Sequence, residues 1–443
     1  MASKTAMADR PSDVTTLASD LIRIDTTNSG DGTCRERPAA EYVAERLDDV
    51  GIEATVIESA PGRANVVARI DGTEPDRDAV LVHGHLDVVP AEPADWQVHP
   101  FSGEVRDGVL WGRGAVDMKG MDAMMLAVVR AWMREGRRPR RDVVLAFTAD
   151  EEASAVYGSD FLVREHADLF EGCTEGFSES GAYTFHAGDG IRLYPVGAGE
   201  RGTAWMRLTA NGQAGHGSKV NTDNAVGALA AALARFDQHE WPVRLTPTVR
   251  AAVEGIGTAL GIEVDTDDPA FDADEVLAQF GPARQLVEST LRNSTNPTMM
   301  QAGYKVNVIP QTAVGYVDGR VLPGMKDEFE STVSELAGPR VHWDYEHTEV
   351  PLSADVDSST FAAMADALTA EDPGAYVVPM CMSGGTDAKQ FSRLGIVGYG
   401  FSPLQLPPGF DYQALFHGID ERVPVDALDF GVRVLDRFLT TVG

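Results

Sequence analysis

The sequence has few cysteines and no long apolar run, and each shortage excludes a class of protein. Its 443 residues contain 3 cysteines, which lie far apart at Cys34, Cys173 and Cys381. Neither a disulfide framework nor a paired cysteine metal site is predicted, and a reducing compartment is expected. No apolar run approaches the ~18 residues of a membrane span. The stretch from Met1 to Asp20 lacks the apolar segment of a signal peptide, so a cytoplasmic location is expected.

Basic residues are also scarce, because 37 Lys and Arg stand against 68 Asp and Glu, for a formal net charge of -31. Such a charge argues against nucleic acid and against anionic membrane surfaces as partners. The hydrophobic fraction of 43% and the charged fraction of 24% are typical of a soluble globular protein. A chain of this length exceeds one ordinary core, so two domains are expected.

What the sequence does have is an alternation of helical and strand patterns, which predicts an α/β fold. The first helices are predicted at residues 11–28 and 38–50. The strands and the helix that follow are predicted at residues 53–57, 65–70, 79–83, 119–135 (the helix) and 142–148.

The pattern changes after Gly199 and returns near residue 351. Between them the order is strand, helix, two strands, helix and strand, which indicates a small ferredoxin-like α+β layer inserted into the larger domain. Residues 240–297 are interpreted as an irregular, partly helical excursion within that layer. The predicted elements of the layer are 203–210, 222–236, 298–303, 313–321, 326–336 and 340–346. Those of the resumed α/β pattern are 359–369, 376–378, 396–400 and 425–439.

Polar residues follow two of the buried strands. His85 and Asp87 come after one apolar run, and Glu151 and Glu152 come after another. Because ligands gather at the carboxyl ends of strands in α/β sheets, these side chains are expected to converge. Imidazole and carboxylate ligands suit zinc and similar ions, so a metallohydrolase is favoured. A surface histidine and an exposed acidic loop are the alternatives.

Asp117 follows two glycines and precedes a helix, so it is either a metal ligand or a helix N-cap, or both. Asp87 is expected to hold the second ring nitrogen of His85. Adjacent residues of a strand point to different sides, so Glu151 and Glu152 are expected to have different roles, one as general base and one as ligand.

Eight motifs in order along nearly the whole chain resemble one family. It is the co-catalytic metallopeptidases that include aminoacylase, Gly-Xaa carboxypeptidase, glutamate carboxypeptidase, acetylornithine deacetylase and succinyl-diaminopimelate desuccinylase. The motifs are HLDVVP (85–90), Trp96 with HPF (99–101), WGRGAVDMKG (111–120), DEE (150–152), AGHGS (214–218), NVIP (307–310), GGTDA (384–388) and HGIDERV (417–423).

The resemblance implies a zinc-exopeptidase-like catalytic domain, a mixed sheet flanked by helices, formed by residues 1–200 and 351–443. Residues 201–350 would be an inserted α+β ferredoxin-like lid that forms a homodimer, with the strand at 203–210 and the helix at 222–236 offering the edge for pairing. The cofactors implied are two divalent metal ions, with zinc first and cobalt or manganese as alternatives. One ion would be bound by His85 and Glu179 and the other by Glu152 and His417, with Asp117 bridging both. Glu175 competes with Glu179 for the fifth position.

The resemblance also implies catalytic roles. Glu151 would be the general base, Asp87 would support His85, and His216 would reach the oxyanion from the partner's lid. The peptide bond after Asp117 would be cis. The residues that match the family's substrate contacts are Asn307, Arg320, Gly384, Gly385 and Thr386.

The function implied is a metal-dependent amide hydrolase that cleaves an N-acyl amino acid or a dipeptide with a free carboxylate. A metal-activated water would attack the amide carbonyl, with Glu151 as its base. A specific biosynthetic deacylase, of the acetylornithine or succinyl-diaminopimelate type, is the first alternative. A catalytically silent member of the fold is the second.

Overall fold

A computed structural model describes residues 12–443 of the chain. The predicted first helix is confirmed but is shorter, and it begins after Ser12, whose hydroxyl accepts a hydrogen bond from the Thr15 N–H. Residues 1–11, which include much of the stretch predicted to lack a signal peptide, lie outside the described residues. The helices are α1 Asp13–Arg23, α2 Arg37–Asp48, α3 Lys119–Glu135, α4 Ser159–Glu165, α5 Ala225–Gln238, α6 Pro247–Leu260, α7 Ala273–Gln279, α8 Lys326–Ala337, α9 Ser359–Glu371, α10 Ala388–Phe391 and α11 Val425–Thr441.

The strands fall into two larger sheets and two small ones. They are β1 Ala54–Ala60, β2 Arg63–Ile70, β3 Ala79–His85, β4 Glu104–Arg106, β5 Val109–Trp111, β6 Val143–Thr148, β7 Cys173–Ser178, β8 Phe185–Gly188, β9 Ile191–Glu200, β10 Gly202–Asn211, β11 Gly215–His216, β12 Ser294–Ala302, β13 Val308–Ile309, β14 Thr312–Val321, β15 Val341–Thr348, β16 Leu352–Ser353, β17 Tyr376–Met382, β18 Val397–Gly400 and β19 Arg422–Pro424.

The main sheet has 10 strands in the order β1-β2-β6-β3-β7-β18-β9-β16, with β17 and β8 also paired to β9. It is mixed, because β3 runs parallel to β6 and β7 whereas β2 runs antiparallel to β1 and β6. One face packs on α2, α3, α9 and α11, with α1 packed on α3 and α11, and the other face packs on α4 and α10. The predicted mixed sheet flanked by helices is confirmed.

The central strands of this sheet bring the predicted ligand positions to one edge. Every residue of β3 and β6 is buried, as expected for a strand covered on both faces. His85 pairs with Thr148 in parallel register, so the segments that follow the two strands leave the sheet on the same side. The same edge receives the end of β7, because β7 is parallel to β3.

The second sheet has 4 strands in the order β12-β14-β10-β15. All its pairs are antiparallel, and α5 and α8 cover one face with a separate hydrophobic core. This is the predicted strand-helix-strand-strand-helix-strand connectivity. The sheet begins at Gly202 and ends at Thr348, within the range 201–350; the domain boundaries and the role of a lid stay predictions.

Two expectations about this region are wrong. Residues 240–297 do not form an excursion of the small layer alone, because α6 packs on β9 and β17 of the main sheet. Its residues Val249, Val253 and Ile256 belong to the main core. The strand predicted at 203–210, β10, is not an edge strand that could pair with a second subunit, because β14 and β15 occupy both its sides.

A helix that spans a membrane must be both long and apolar. No helix within residues 12–443 combines the length and the apolar character needed to cross a bilayer.

Candidate metal centre

His85 ends β3 with its ring fixed at both nitrogens. Its Nδ1 lies 2.9 Å from the backbone carbonyl of Asp87, and since a carbonyl only accepts, Nδ1 donates. The other ring nitrogen, Nε2, lies 3.0 Å from Asp117 Oδ1 and 3.9 Å from Glu179 Oε1. The Asp87 carboxylate is 3.7 Å from Nδ1. The Asp87 side chain was predicted to hold this second ring nitrogen of His85, Nδ1, but the backbone carbonyl of Asp87 does so instead.

Asp117 lies between two histidines, in the loop that joins β5 to α3. Its Oδ1 faces His85, and its Oδ2 lies 3.2 Å from His417 Nε2. The peptide bond between Asp117 and Met118 is cis, as the resemblance implied. One carboxylate therefore offers one oxygen to each histidine, which is the arrangement of a bridging ligand.

Glu152 completes the second group. Its Oε2 lies 3.0 Å from His417 Nε2, and the side chain is 4% exposed although that of His417 is 57% exposed. The other oxygen, Oε1, is buried without a hydrogen-bond partner in the described part of the chain. A buried carboxylate oxygen of this kind calls for a partner that the protein atoms do not supply.

Glu179, and not Glu175, is the acid that the structure places beside His85. Its ligand atom lies within the same cluster as those of His85 and Asp117. Glu175 is instead held by the guanidinium of Arg141 at 2.5 Å and by the hydroxyl of Thr360. Both partners of Glu175 are protein groups, so the geometry favours Glu179.

Asp87 organises the two glutamates through their backbone. Its Oδ1 accepts from the Glu151 N–H and its Oδ2 from the Glu152 N–H, each at 3.2 Å. The Asn28 amide donates to Asp87 at 2.8 Å and to Asp150 at 3.1 Å. No motif in the sequence pointed to Asn28, because its contribution depends on an approach of residues about sixty positions apart.

Glu421 fixes the loop that carries Asp117. It is fully buried and accepts from the N–H groups of Val116 at 2.7 Å and of Asp117 and Gly114 at 3.0 Å. Arg113 adds an ion pair at 2.7 Å. Burial raises the pKa of Glu421 to about 7, against the charge of Arg113. Glu421 lies in the HGIDERV motif, but no local pattern predicted this role.

Burial, hydrogen bonds and neighbouring charges shift the pKa values of the residues in the cluster. Burial favours neutral Asp117, but hydrogen bonds from His417 and His85 outweigh it and lower its pKa. Hydrogen bonds to Asp117 and Glu152 raise the pKa of His417 to about 10. Burial lowers the pKa of His85, yet Asp117 and Glu179 raise it well above its usual value. Because a metal binds the deprotonated form of these ligands, metal binding would release protons from the cluster.

Several charges act on the carboxyl group of Glu151. Burial first, then the charges of Asp387, Glu152 and Asp117, raise its pKa well above the usual value, against the effect of His85. Its role as general base stays a prediction.

The residues matched to substrate contacts lie in three places. Thr386 donates its N–H and hydroxyl to Glu200, at 3.2 and 2.7 Å. A Cβ on Gly385 would lie 2.5 Å from Lys389 Nζ, so a side chain there would displace the lysine; Gly384 next to it is exposed.

His216 and Asn307 meet on an exposed ribbon of β11 and β13, where the Gly217 N–H donates to the Asn307 carbonyl at 2.9 Å. Arg320 lies on β14 and is held by Asp318 at 2.7 Å, so its guanidinium already has a carboxylate partner. Neither His216 nor Arg320 belongs to the metal-binding groups of the described residues.

The five candidate ligands fit divalent metal ions. They form two groups, His85, Asp117 and Glu179 in one and Asp117, Glu152 and His417 in the other, whose ligand atoms lie within 4.8 Å of one another in each group. Two imidazoles and three carboxylates are a donor set that suits zinc.

Comparisons with known proteins identify the family of the chain. Residues 81–441 match the model of peptidase family M20/M25/M40. The chain is 26% identical over 435 residues to N-fatty-acyl-amino acid synthase/hydrolase PM20D1 of Xenopus tropicalis, covering 93% of this chain and 82% of that protein. It is 26% identical over 454 residues to aminoacylase-1 of Sus scrofa, covering 100% and 98%.

The fold agrees as well. An M20 family metallo-carboxypeptidase from Sulfolobus solfataricus superimposes with a TM-score of 0.71 at 18% identity, over 97% of this chain and 99% of that one. Since the family model spans most of the sequence, the chain belongs to peptidase family M20/M25/M40 and is a hydrolase of amide bonds.

Proposed function

We propose that the protein hydrolyses the amide bond of an N-acyl amino acid or of a dipeptide that carries a free carboxylate. The observation that carries this proposal is the pair of ligand groups joined by Asp117, with Glu151 beside them. Similarity to aminoacylase-1 and to an N-fatty-acyl-amino acid hydrolase supports an acylated amino acid as the substrate.

His85 and Glu179 would hold one ion, Glu152 and His417 the other, and Asp117 both. When bound, such ions, with zinc expected first and cobalt or manganese as alternatives, lower the pKa of water and polarise a carbonyl group. The chain contributes the fixed orientation of its ligands: Asp87 positions both glutamates, and Glu421 positions the loop of Asp117.

Glu151 would move the proton. Its carboxylate takes a proton from the attacking water and later delivers it to the nitrogen of the leaving amine. The raised pKa favours this double duty, because a strongly acidic carboxyl group would release the proton too readily to protonate the amine.

His216 would donate a hydrogen bond to the oxyanion that forms on the substrate carbonyl. Asn307 and Arg320 would bind the substrate carboxylate together with the loop of Gly384, Gly385 and Thr386. For Arg320 this requires exchange of Asp318 for the substrate carboxylate, since the same guanidinium fork serves both.

A homodimer would supply His216 from the partner subunit. Because β10 is internal, the edge available for pairing in the second sheet is β12 or β15. Met299 and Met300 of β12 are 52% and 48% exposed, so this edge carries apolar side chains that a second subunit could cover.

The test is a substrate panel with protein loaded separately with Zn²⁺, Co²⁺ or Mn²⁺. It contains N-acetyl and longer N-acyl amino acids, dipeptides, acetylornithine and succinyl-diaminopimelate, and the released amine is measured. We expect hydrolysis of several N-acyl amino acids or dipeptides. Turnover of one biosynthetic substrate alone would replace it with the specific deacylase, and none with any metal would favour a silent member.

A further inference from the structure

A cavity of about 280 Å³ lies beside the metal centre. Leu286, Met380, Met382 and Phe416 form much of its wall, and the described residues that line it include no charged side chain. At roughly 30 Å³ for a water-sized group, it has room for about nine such groups. A space of this size suits one side chain or one short acyl chain better than a whole ligand.

The wall is continuous in sequence with the metal centre. Ser180 follows Glu179, and Phe416 precedes His417. Gly384, which also lines the cavity, opens the loop matched to the substrate carboxylate. Three of the segments that build the reaction site therefore also build the cavity.

One part of the cavity wall is a cluster of aromatic rings. The ring of Tyr412 lies 4.6 Å from that of Tyr183 and 5.1 Å from that of Phe416, and the Gln413 amide donates to the Tyr183 hydroxyl at 2.7 Å. Burial, and then the charges of Tyr183, Asp117 and Glu179, raise the pKa of Tyr412. The aromatic cluster therefore lies close enough to the candidate ligands for their charges to act on Tyr412.

Another part of the wall comes from the segment 240–297, for which no regular element was predicted. Gln285, Leu286 and Ser289 lie in two short 3-10 helices, Gly281–Leu286 and Glu288–Thr290. Ser289 is exposed, whereas Leu286 is buried. Together with the flexible thioethers of Met380 and Met382, these residues form a wall that can adjust to chains of different length.

We infer that this cavity receives an apolar chain of the substrate, and that Leu286, Met380 and Met382 set the chain length the protein prefers. The inference rests on the proposed function and names the chemistry of one substrate group. A charged group would lose its hydration here without gaining a charged partner. The chain can come from the acyl group or from the amino-acid side chain, and the experiment separates the two.

The test is calorimetric binding to the metal-loaded Glu151→Gln protein, so that turnover does not interfere. One series varies the acyl group of N-acylglycine from acetyl to decanoyl. The other varies the side chain of an N-acetyl amino acid from alanine to norleucine. In one series, affinity should rise about fourfold for each added methylene until the cavity is filled.

Two further substitutions in the Glu151→Gln background change the cavity in opposite directions. Ser289→Trp places an indole at its mouth and should flatten the dependence on chain length. Met382→Ala enlarges it and should move the optimum to longer chains. Thr258→Trp adds the same indole at an exposed position of α6 and serves as the matched control.

Affinity that is independent of chain length in both series would overturn the inference, and so would a dependence that both cavity variants keep unchanged. Turnover by the wild-type protein is measured separately with the same compounds. Hydrolysis without chain-dependent binding would overturn the inference alone, whereas chain-dependent binding without hydrolysis would overturn the proposed function alone.

Discussion

The metal centre and the exposed ribbon of β11 and β13 carry residues proposed for one reaction, yet they are held in opposite ways. His85 is 1% exposed, and both its ring nitrogens are fixed by groups on the main sheet and its loops. His216 is exposed, and the hydrogen bonds to its ring come from Ser218, two residues away. One histidine is oriented by distant parts of the fold and the other by its own turn.

The metal centre is therefore positioned within one chain. His216, by contrast, can reach the reaction site only through a movement of the ribbon or from a second subunit. Asp87, Asn28 and Glu421 hold the buried centre before any substrate arrives. The ribbon has no comparable support within the described residues. Changes to the metal ligands and to the groups that support them should therefore affect metal binding and catalysis together, whereas changes to the ribbon should affect catalysis only.

Removing the metal should have the largest effect, because it disables the buried side completely. Treatment with a strong chelator should reduce hydrolysis to background, and added Zn²⁺ or Co²⁺ should restore it. The folded protein should also gain about 2.7 kcal/mol of stability at a metal concentration of 100 times the Kd, seen as a higher Tm. Full activity in a sample shown to be metal-free would contradict the mechanism.

Replacing Glu151 should abolish proton transfer at the metal centre without changing the amount of bound metal. Glu151→Gln keeps the size of the side chain but removes the proton acceptor, so kcat should fall roughly 10²- to 10⁴-fold. Metal content, measured by elemental analysis, should match that of the wild type. Ordinary turnover in Glu151→Gln would remove Glu151 from the role of base.

Replacing His216 should lower the rate of catalysis without affecting the metal centre. His216→Ala should lower kcat by about 10²- to 10³-fold, which is the usual cost of a lost oxyanion donor. Metal content should again stay unchanged. His342→Ala, the same substitution at another exposed histidine of the second sheet, should behave as the wild type.

Mixing the two inactive variants tests whether His216 acts on the site of a second subunit. After subunit exchange, a dimer of Glu151→Gln with His216→Ala would contain one site with both groups intact, so part of the activity should return. Exchange is verified first, with subunits that carry different tags. No recovery after verified exchange would mean that His216 acts within its own chain or not at all.

Weakening the support of the centre should have a smaller effect. Glu421→Gln presents an amide where three backbone N–H groups donate, so about 1–3 kcal/mol of stability should be lost. Metal affinity should fall about 10- to 100-fold, as is usual for groups that orient ligands. Glu346→Gln, an exposed site on β15, is the control. Equal metal affinity in both variants would mean that Glu421 does not orient Asp117.

The sequence predicted well those features that local patterns encode. Helix α3 begins and ends at the predicted residues, Lys119 and Glu135, and β3 and β6 follow their apolar runs. The candidate ligands follow these strands directly, so their convergence could be expected from the rule that parallel strands share an edge.

The sequence did not predict what depends on distant contacts. Strand β9 contains Pro195, Gly197 and Gly199, which are poor strand formers, and it exists because β17 and β18 pair with it. The packing of α6 on the main sheet, the internal place of β10 and the contacts of Asn28 and Glu421 likewise arise only when the chain is folded. Local periodicity carries no information about such partners.

Five side chains, including the shared Asp117, are proposed to hold two divalent ions. Elemental analysis tests this proposal on metal-stripped protein reloaded with Zn²⁺ and freed of excess, for the wild type and for Glu179→Ala and His417→Ala. About two ions per chain are expected in the wild type and about one in each variant. One ion or none in the wild type, or two in both variants, would contradict it.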